Sequence, residues 1–235
     1  MDCTITKDEI ETQRTVEEFL DWVDAVIERF KSSKQCREYF RTNKTTEIKR
    51  FREETFALYY LFKNCETINY SIKIIQKTGS QNYDAKILEN KDEEFIEITH
   101  PLNGKAEKAR MKQLSQAGHV PASGEVYKKT KDKQYVFDGA PKDEHSIVEQ
   151  KDIIALIKDA LSKKSSKNYP EKTSLLIYLD KGTHEEDFTE SFTKEVKELD
   201  AFIEEHKLIF NSVFLVSNKH CYLKKIRDSI SILYK

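Results

Sequence analysis

The sequence has few of the features that mark secreted, membrane-spanning or disulfide-rich proteins. Its four cysteines are isolated and form no CxxC pair, so the spacing predicts neither a zinc site nor a disulfide framework. No apolar run approaches the roughly 20 residues that a membrane-spanning helix needs. The charged beginning "MDCTITKDEIETQRTVEEF" does not resemble a signal peptide. Isolated thiols are typical of a reducing compartment, and we therefore expect a soluble, cytoplasmic protein without a membrane partner.

The chain also lacks an excess of charge of either sign and the short motifs of several enzyme classes. Its 40 basic residues oppose 41 acidic ones, so the net charge of −1 gives no overall signature of a nucleic-acid binder. There is no GxxxxGK[ST] phosphate loop, no GxSxG elbow and no HExxH zinc motif. These absences disfavour nucleotide-loop enzymes, serine hydrolases and zinc peptidases.

What the sequence does contain is an ordered alternation of helical and strand patterns. Apolar residues recur at three- and four-residue spacing in four segments, 7–32, 36–64, 146–167 and 188–206. Strand-like runs bounded by turn residues occupy five segments, 70–76, 83–89, 94–99, 173–180 and "SVFLVS". The continuous apolar run "TSLLIYLD" is typical of a strand buried on both faces.

This order of elements predicts the fold class and the division of the chain. An antiparallel hairpin followed by helix-linked buried strands indicates an α/β protein with a mixed central sheet flanked by helices. We expect residues 1–45 to form an N-terminal helical extension and residues 46–235 to form the α/β domain. A small insert at about 119–145 contains "GEVYKK" and "QYVFDG", which are compatible with a short hairpin.

Two carboxylates, Asp84 and Glu97, stand inside the predicted hairpin "NYDAKILENKDEEFIEITHP". Pairing residues whose numbers sum to 183 puts Ala85 opposite Ile98 and gathers the apolar side chains on one face. Asp84 and Glu97 then become diagonal neighbours on the other face, with backbones roughly 7–8 Å apart. Such a pair can hold one Mg²⁺ ion, which prefers oxygen ligands. The alternative is a half-exposed hairpin whose polar side chains point outward.

The spacing from Asp84 to the run Glu97-Ile98-Thr99 resembles that of the PD-(D/E)XK nuclease superfamily. The resemblance covers roughly residues 46–180, mostly through the order of elements. It implies a restriction-endonuclease-like core in which Asp84 and Glu97 hold Mg²⁺ or Mn²⁺ and phosphodiester bonds of nucleic acid are hydrolysed. It also implies a setting in phage defence or restriction. The lysine that the family places two residues after the glutamate is Thr99 in this chain.

Two further residues complete the predicted catalytic group. In the assumed register Lys86 stands directly across from Glu97, and it is our substitute for the missing lysine; the alternative is a plain cross-strand ion pair. Lys112, on the next helix, is a second candidate. Glu54 lies along an apolar helical stripe where an unpaired carboxylate is costly, so we expect it to be a third acid beside the metal. Its alternative is an edge position with the charge in water.

Lysines supply the predicted surface for nucleic acid. The candidates lie on the basic helix "KAEKARMKQLSQAG" and near the end of the helix over 146–167: Lys105, Lys108, Lys112, Lys164 and Lys167. Contacts between these side chains and phosphates would depend on salt and not on base sequence. The alternatives are a solvated helix face and the favourable charge of a lysine at a helix end.

Two functions from different classes therefore remain open. The first is a Mg²⁺-dependent nuclease that acts on nucleic acid, with DNA favoured over RNA. The second is a catalytically inactive module of the same fold that binds nucleic acid or a partner protein. The helical first 65 residues offer an association surface, so a second copy of the chain is a further candidate partner.

Overall fold

The predicted mixed sheet is present in the computed structural model, which describes residues 3–42, 45–101, 125–128, 135–138, 145–179, 188–227 and 231–233. The fold is α/β, with a seven-stranded sheet flanked by helices. The chain divides into two compact units. The first unit contains residues 1–100, 162–181 and 205–235, and the second contains residues 101–161 and 182–204.

The regular elements follow the predicted order with some differences in extent. The helices are α1 (Lys7–Glu11), α2 (Val16–Lys31), α3 (Lys34–Thr42), α4 (Thr46–Arg50), α5 (Phe56–Asn64), α6 (His145–Ser165) and α7 (Phe188–Glu205), and a π-helical turn (Phe51–Thr55) joins α4 to α5. The strands are β1 (Arg14–Thr15), β2 (Lys73–Gln76), β3 (Ala85–Glu89), β4 (Asp92–Thr99), β5 (Glu125–Lys128), β6 (Tyr135–Asp138), β7 (Thr173–Leu179), β8 (Ser212–Ser217) and β9 (Cys221–Lys225).

The helix predicted over 7–32 is two helices, because the chain contains two capping boxes. Thr6 accepts a hydrogen bond from the backbone N–H of Glu9, whose side chain accepts one from the N–H of Thr6, and this exchange begins α1. Thr15 and Glu18 make the same exchange at the start of α2. Each box satisfies backbone donors that a continuous helix would not leave open.

The strand order is β1-β2-β3-β4-β7-β8-β9, and the pairing changes direction in the middle of the sheet. Strands β2, β3 and β4 pair antiparallel, β4 pairs parallel with β7, and β7 pairs parallel with β8. The edge strands β1 and β9 were not predicted. Strand β9, "CYLKK", is half-exposed and lacks a clear apolar alternation. The hairpin predicted in the insert is present as β5 paired with β6.

The core of the first unit lies between the sheet and the helices α2 and α5. The apolar face of the hairpin joins aromatic side chains of the helices, and the fully buried members include Phe19, Phe51, Phe62, Ile74 and Ile87. Burial of each such side chain stabilises the fold by about 1.5–3 kcal/mol. Helix α2, from the predicted extension, therefore contributes to the same core as the sheet.

The predicted hairpin register was wrong by two residues, although the assignment of the faces holds. The structure pairs Ala85 with Ile96 and Glu89 with Asp92, so that only Asn90 and Lys91 form the turn. Asn90 has a φ of 56°, a left-handed conformation that asparagine tolerates better than most residues. The prediction assigned four residues to the turn, and this error moved every pair by two.

Glu94 shows that the apolar face of the hairpin also contains a buried acidic side chain. It lies across from Ile87 and is only 2% exposed. Its carboxylate accepts hydrogen bonds from the Ser231 hydroxyl at 2.7 Å and from the backbone N–H of Ile232 at 2.9 Å. Glu94 therefore anchors the segment 231–233 to the sheet and has a structural role.

The cysteine spacing indicated no disulfide framework, but the structure contains one disulfide. Cys3 and Cys36 are joined by a disulfide that ties the segment before α1 to α3. The sequence separates these residues by 33 positions, so their spacing alone gave no signal of the contact. Cys65 and Cys221 are free thiols. Within the described residues, no helix combines the length and the apolar character needed to cross a bilayer.

The turn at Asn90 gives a test of the hairpin register. We expect Asn90→Val to lower the free energy of unfolding by about 1–2 kcal/mol, because a β-branched residue is strained at positive φ. Asn90→Gly should be close to neutral, since glycine adopts this conformation without a Cβ clash. Urea unfolding monitored by circular dichroism measures both variants. Equal stability of the valine and glycine variants would show that the turn lies elsewhere.

Candidate functional site

The two predicted metal ligands lie together where β3 begins and β4 approaches its end. Asp84 directly precedes β3, and its backbone N–H donates to the carbonyl oxygen of Ile96 at 2.8 Å. The regular pairing ends at Ala85 and Ile96, and Asp84 lies beside Glu97, near enough for the two charges to interact. The β3–β4 pairing alone therefore brings the two carboxylates close together.

Each of the two carboxylates is held by a specific donor. Asp84 Oδ2 accepts a hydrogen bond from the backbone N–H of Ile98 at 2.8 Å. Glu97 is only 6% exposed, and its Oε1 accepts from the ammonium of Lys164 and from the Tyr169 hydroxyl at 3.3 Å. The Lys164 ammonium also donates to the carbonyl oxygen of Ile98 at 3.3 Å. These contacts fix Glu97 beside a cation in a water-poor environment.

Lys164 therefore has the position that was predicted for Lys86. In the observed register Lys86 lies across from Phe95, and its ammonium forms an ion pair with Glu93. The predicted placement of Lys86 opposite Glu97 was wrong. It depended on a register with a four-residue turn, whereas the turn at Asn90 and Lys91 has two residues. The cation beside Glu97 comes instead from the last turn of α6.

Glu54 lies on the π-helical turn between α4 and α5, close enough to Asp84 for their charges to interact. Its carboxylate forms an ion pair with Arg50 at 3.2 Å, and both side chains are less than one-fifth exposed. The same guanidinium group donates to the carbonyl oxygen of Lys77 at 2.7 Å. Since the N–H of Lys77 donates to the carbonyl oxygen of Asp84, Arg50 connects the helix to the strand that bears the site. π-Helical turns are frequent at functional sites.

The electrostatics of the site disfavour the presence of three negative charges together. Burial and the charge of Asp84 raise the pKa of Glu54 to about 8, against the opposing effect of Arg50. Burial and the charge of Glu97 raise the pKa of Asp84 to about 6, although the Ile98 N–H and Lys164 act in the opposite direction. Burial and Glu97 also raise the pKa of the Tyr169 hydroxyl, so it remains a proton donor. The site therefore attracts a cation.

The donor set fits a hard divalent ion bound through two carboxylates. Among the described residues, no group of three His, Cys, Asp or Glu side chains is arranged to hold a metal ion. Mg²⁺ commonly takes one or two protein carboxylates and completes its shell with water and substrate oxygens. Asp84 and Glu97 meet that requirement. Glu54 interacts more strongly with Asp84 than with Glu97, so it lies on the Asp84 side of the pair.

The structure describes two of the five lysines that were predicted to bind phosphate. Lys105, Lys108 and Lys112 lie outside the described residues. Lys167 is exposed in the turn after α6. Lys164, predicted as a phosphate contact, is bonded to the carboxylate of Glu97.

Sequence reasoning also missed two residues of the site. Arg50 stands four residues before Glu54, a spacing at which helical side chains meet, and that spacing was the available signal. Tyr169 lies between α6 and β7, and no local pattern predicts its hydrogen bond to Glu97 across 72 positions.

The raised pKa of Glu54 gives a test that needs no metal. Because the folded-state pKa of about 8 exceeds the ordinary value of 4.5, the wild-type protein loses stability as pH rises from about 4.5 to 8. Glu54→Gln is neutral throughout this range. We expect it to exceed the wild type by about 1–3 kcal/mol in free energy of unfolding at pH 8.5, and to differ little at pH 4.

Urea unfolding at the two pH values measures the effect. Glu53→Gln is the matched control, since the Glu53 side chain is 47% exposed and its ion pair with Lys49 lies at the surface. A Glu54→Gln variant that is less stable than the wild type at pH 8.5 would show that the ion pair with Arg50 outweighs the burial of the charge.

Comparisons with known proteins assign no family to this chain. No family model, no curated protein and no solved structure matches it. The resemblance to the PD-(D/E)XK nucleases therefore stays a prediction carried by the spacing of Asp84 and Glu97 and by the order of elements. The function has to be argued from the geometry of the site.

Proposed function

We propose that the chain is a metal-dependent nuclease-like protein that hydrolyses phosphodiester bonds of nucleic acid. The observation that carries the proposal is the proximity of the Asp84 and Glu97 carboxylates, where β3 begins and β4 approaches its end, with the Lys164 ammonium bonded to Glu97. A structural ion pair needs one acid and one base. Here the half-buried Asp84 shares a site with the buried Glu97 although the charge of Glu97 makes ionisation of Asp84 more costly, and such arrangements are common at functional sites.

Asp84 and Glu97 would hold Mg²⁺ or Mn²⁺, with Glu54 as an additional acid beside Asp84. When bound, the ion supplies positive charge to a phosphodiester and makes a coordinated water more acidic. The Ile98 N–H keeps one oxygen of Asp84 in place, and the Tyr169 hydroxyl keeps one oxygen of Glu97 in place. These bonds preorganise the two ligands, so that little rearrangement is needed on binding.

Lys164 is the residue that we assign to the role of the missing motif lysine. In the PD-(D/E)XK nucleases, which the chain resembles, a lysine two residues after the glutamate orients or activates the attacking water. Thr99 occupies that position and has no charge. The Lys164 ammonium lies instead within hydrogen-bonding distance of Glu97 and of the Ile98 carbonyl oxygen, so it can hold a water or a phosphate oxygen at the same carboxylate.

Nucleic acid is proposed as the substrate because of the resemblance and the lysines of the predicted basic helix. The ammonium of Lys164 and the exposed Lys167 are cations at the site end of α6 that a phosphate backbone could contact. DNA rather than RNA, a second copy of the chain as partner, and phage defence or restriction as the setting stay predictions.

One observation favours the second function, a catalytically inactive module that binds nucleic acid or a partner protein. The Lys164 ammonium already neutralises Glu97, so the apo site has part of the positive charge that a metal would bring. A protein that had lost catalytic activity could keep its fold through this ion pair between Lys164 and Glu97. The two functions differ in one respect, which is whether a phosphodiester bond is broken.

Replacement of the carboxylates separates the two functions. We expect wild-type protein with Mg²⁺ or Mn²⁺ to cleave plasmid, linear or single-stranded substrates, and Asp84→Asn/Glu97→Gln to lose about 10²-fold or more of that rate. The measurement is strand cleavage on denaturing gels. Glu93→Gln, an exposed carboxylate on the same hairpin, is the matched control and should cleave like the wild type. Binding without cleavage at any metal concentration would instead support the inactive module.

Comparison of two lysines tests which one acts at Glu97. Lys164→Ala should lower the cleavage rate by about 10²–10⁴-fold, because its ammonium contacts the carboxylate that holds the metal. Lys86→Ala should change the rate less than about threefold, since Lys86 pairs with Glu93. The assay is single-turnover cleavage at saturating Mg²⁺. The reverse order of effects would restore Lys86 as the catalytic candidate and remove Lys164.

A further inference from the structure

A cavity between the helices α2, α3 and α5 shares none of its lining residues with the carboxylate site. Its volume is about 190 Å³. Four apolar and two basic side chains line it: Ile27, Phe30, Phe40, Phe56, Lys31 and Arg37. Its wall is therefore mostly hydrocarbon, and the charged lining residues are both cations. A mostly apolar cavity with a few polar groups is typical of a small-molecule site.

Three phenylalanine rings form most of the apolar wall, and contacts between rings hold them in place. The ring centroids of Phe30 and Phe40 are 4.5 Å apart, and those of Phe40 and Phe56 are 6.3 Å apart. Phe40 and Phe56 also pack edge-on against the fully buried Phe51, with centroid distances of 6.1 and 5.2 Å. Aromatic rings attract one another at such distances. A further ring in the cavity would make contacts of the same kind.

Helix α3, which contributes Arg37 and Phe40 to the cavity, is connected to its neighbours by two bonds. The disulfide between Cys3 and Cys36 joins it to the segment before α1. The Arg37 guanidinium donates to the carbonyl oxygen of Lys31, the last residue of α2, at 2.8 Å. These bonds fix the cavity wall before any ligand binds. A preformed site loses less affinity to ordering of the protein than a site that must assemble.

The two cations of the cavity, Lys31 and Arg37, favour an anionic ligand. Arg37 uses one of its five N–H donors on the Lys31 carbonyl oxygen, and a planar guanidinium matches the geometry of a carboxylate. The Lys31 ammonium donates to Glu28 at 2.9 Å, but the two side chains are 61% and 71% exposed. Such an exposed pair is weak, so the ammonium can turn to a bound anion. The Arg52 guanidinium, 5.9 Å from the Phe40 ring centroid, adds positive charge near the same wall.

We propose that this cavity binds a small carboxylate with a single aromatic ring, of about the size of benzoate. The ring lies among the side chains of Phe30, Phe40 and Phe56, and the carboxylate pairs with the guanidinium of Arg37. The volume fits this ligand, because an apolar protein cavity of about 150 Å³ holds one benzene molecule and the cavity here has about 190 Å³. The proposal goes beyond the proposed nuclease function and does not depend on it.

The test measures binding of 4-fluorobenzoate to the full-length wild-type protein by fluorine NMR. We expect saturable binding with a Kd of about 1 mM or tighter, which a ligand of this size can reach, and displacement of the probe by benzoate. Two analogues should bind at least about tenfold more weakly: 4-fluorobenzamide, which lacks the charge, and hexanoate, which lacks the ring. Absence of saturable binding, or equal binding of either analogue, would overturn the proposal.

Three variants place the bound probe in the cavity. Arg37→Gln should weaken binding of 4-fluorobenzoate at least about tenfold, and Ile27→Trp should abolish it by filling the cavity. Lys34→Gln is the matched control, because Lys34 is exposed on the same helix and does not line the cavity; it should bind like the wild type. Unchanged binding by Arg37→Gln and Ile27→Trp would show that the probe binds elsewhere and would contradict the proposal. The comparison of analogues uses wild-type protein, so it does not depend on any variant folding correctly.

Discussion

The proximity of two carboxylates, the half-buried Asp84 and the buried Glu97, is the constraint on which the rest of the site depends. The β3–β4 register sets this pair, and the apolar face of the same hairpin, which contains Ala85 and Ile96, is buried in the core and keeps that register. Removing charges from water is costly, and a second charge of the same sign adds to the cost. For Asp84, the hydrogen bond from the Ile98 N–H and the nearby charge of Lys164 offset only part of this cost, and its pKa stays raised. If the pair had no function, almost any neutral side chain in place of either acid would stabilise the protein. We therefore infer that the pair has a function.

The other charged groups of the site surround Asp84 and Glu97. Glu54, on a π-helical turn, adds a third acid on the Asp84 side, and Arg50 compensates it while bonding to the backbone of Lys77. Lys164 compensates Glu97. Each acid thus has a different cation as neighbour, and the acids interact mainly through Asp84. A divalent ion at Asp84 and Glu97 would relieve the repulsion that these cations leave in place.

Some of this arrangement could be predicted from sequence, and the physical reasons for the rest are clear. Alternation along β3 and β4 gave the correct face for Asp84 and Glu97, because one buried face fixes the other. The register depended on the turn at Asn90, where a two-residue turn and a four-residue turn fit the same apolar pattern. The contact between Lys164 and Glu97 joins residues 67 positions apart, and no local periodicity reports such a distance. Strand β9 escaped prediction because a half-exposed edge strand lacks an apolar face of its own.

The most direct test of the metal site is an anomalous-scattering experiment on crystals of the wild-type protein soaked in Mn²⁺. We expect an anomalous peak in contact with the carboxylates of both Asp84 and Glu97. The absence of such a peak at saturating Mn²⁺, with the Lys164 ammonium still bonded to Glu97, would contradict the metal site. In that case these residues would be a buried lysine–carboxylate cluster that binds no metal.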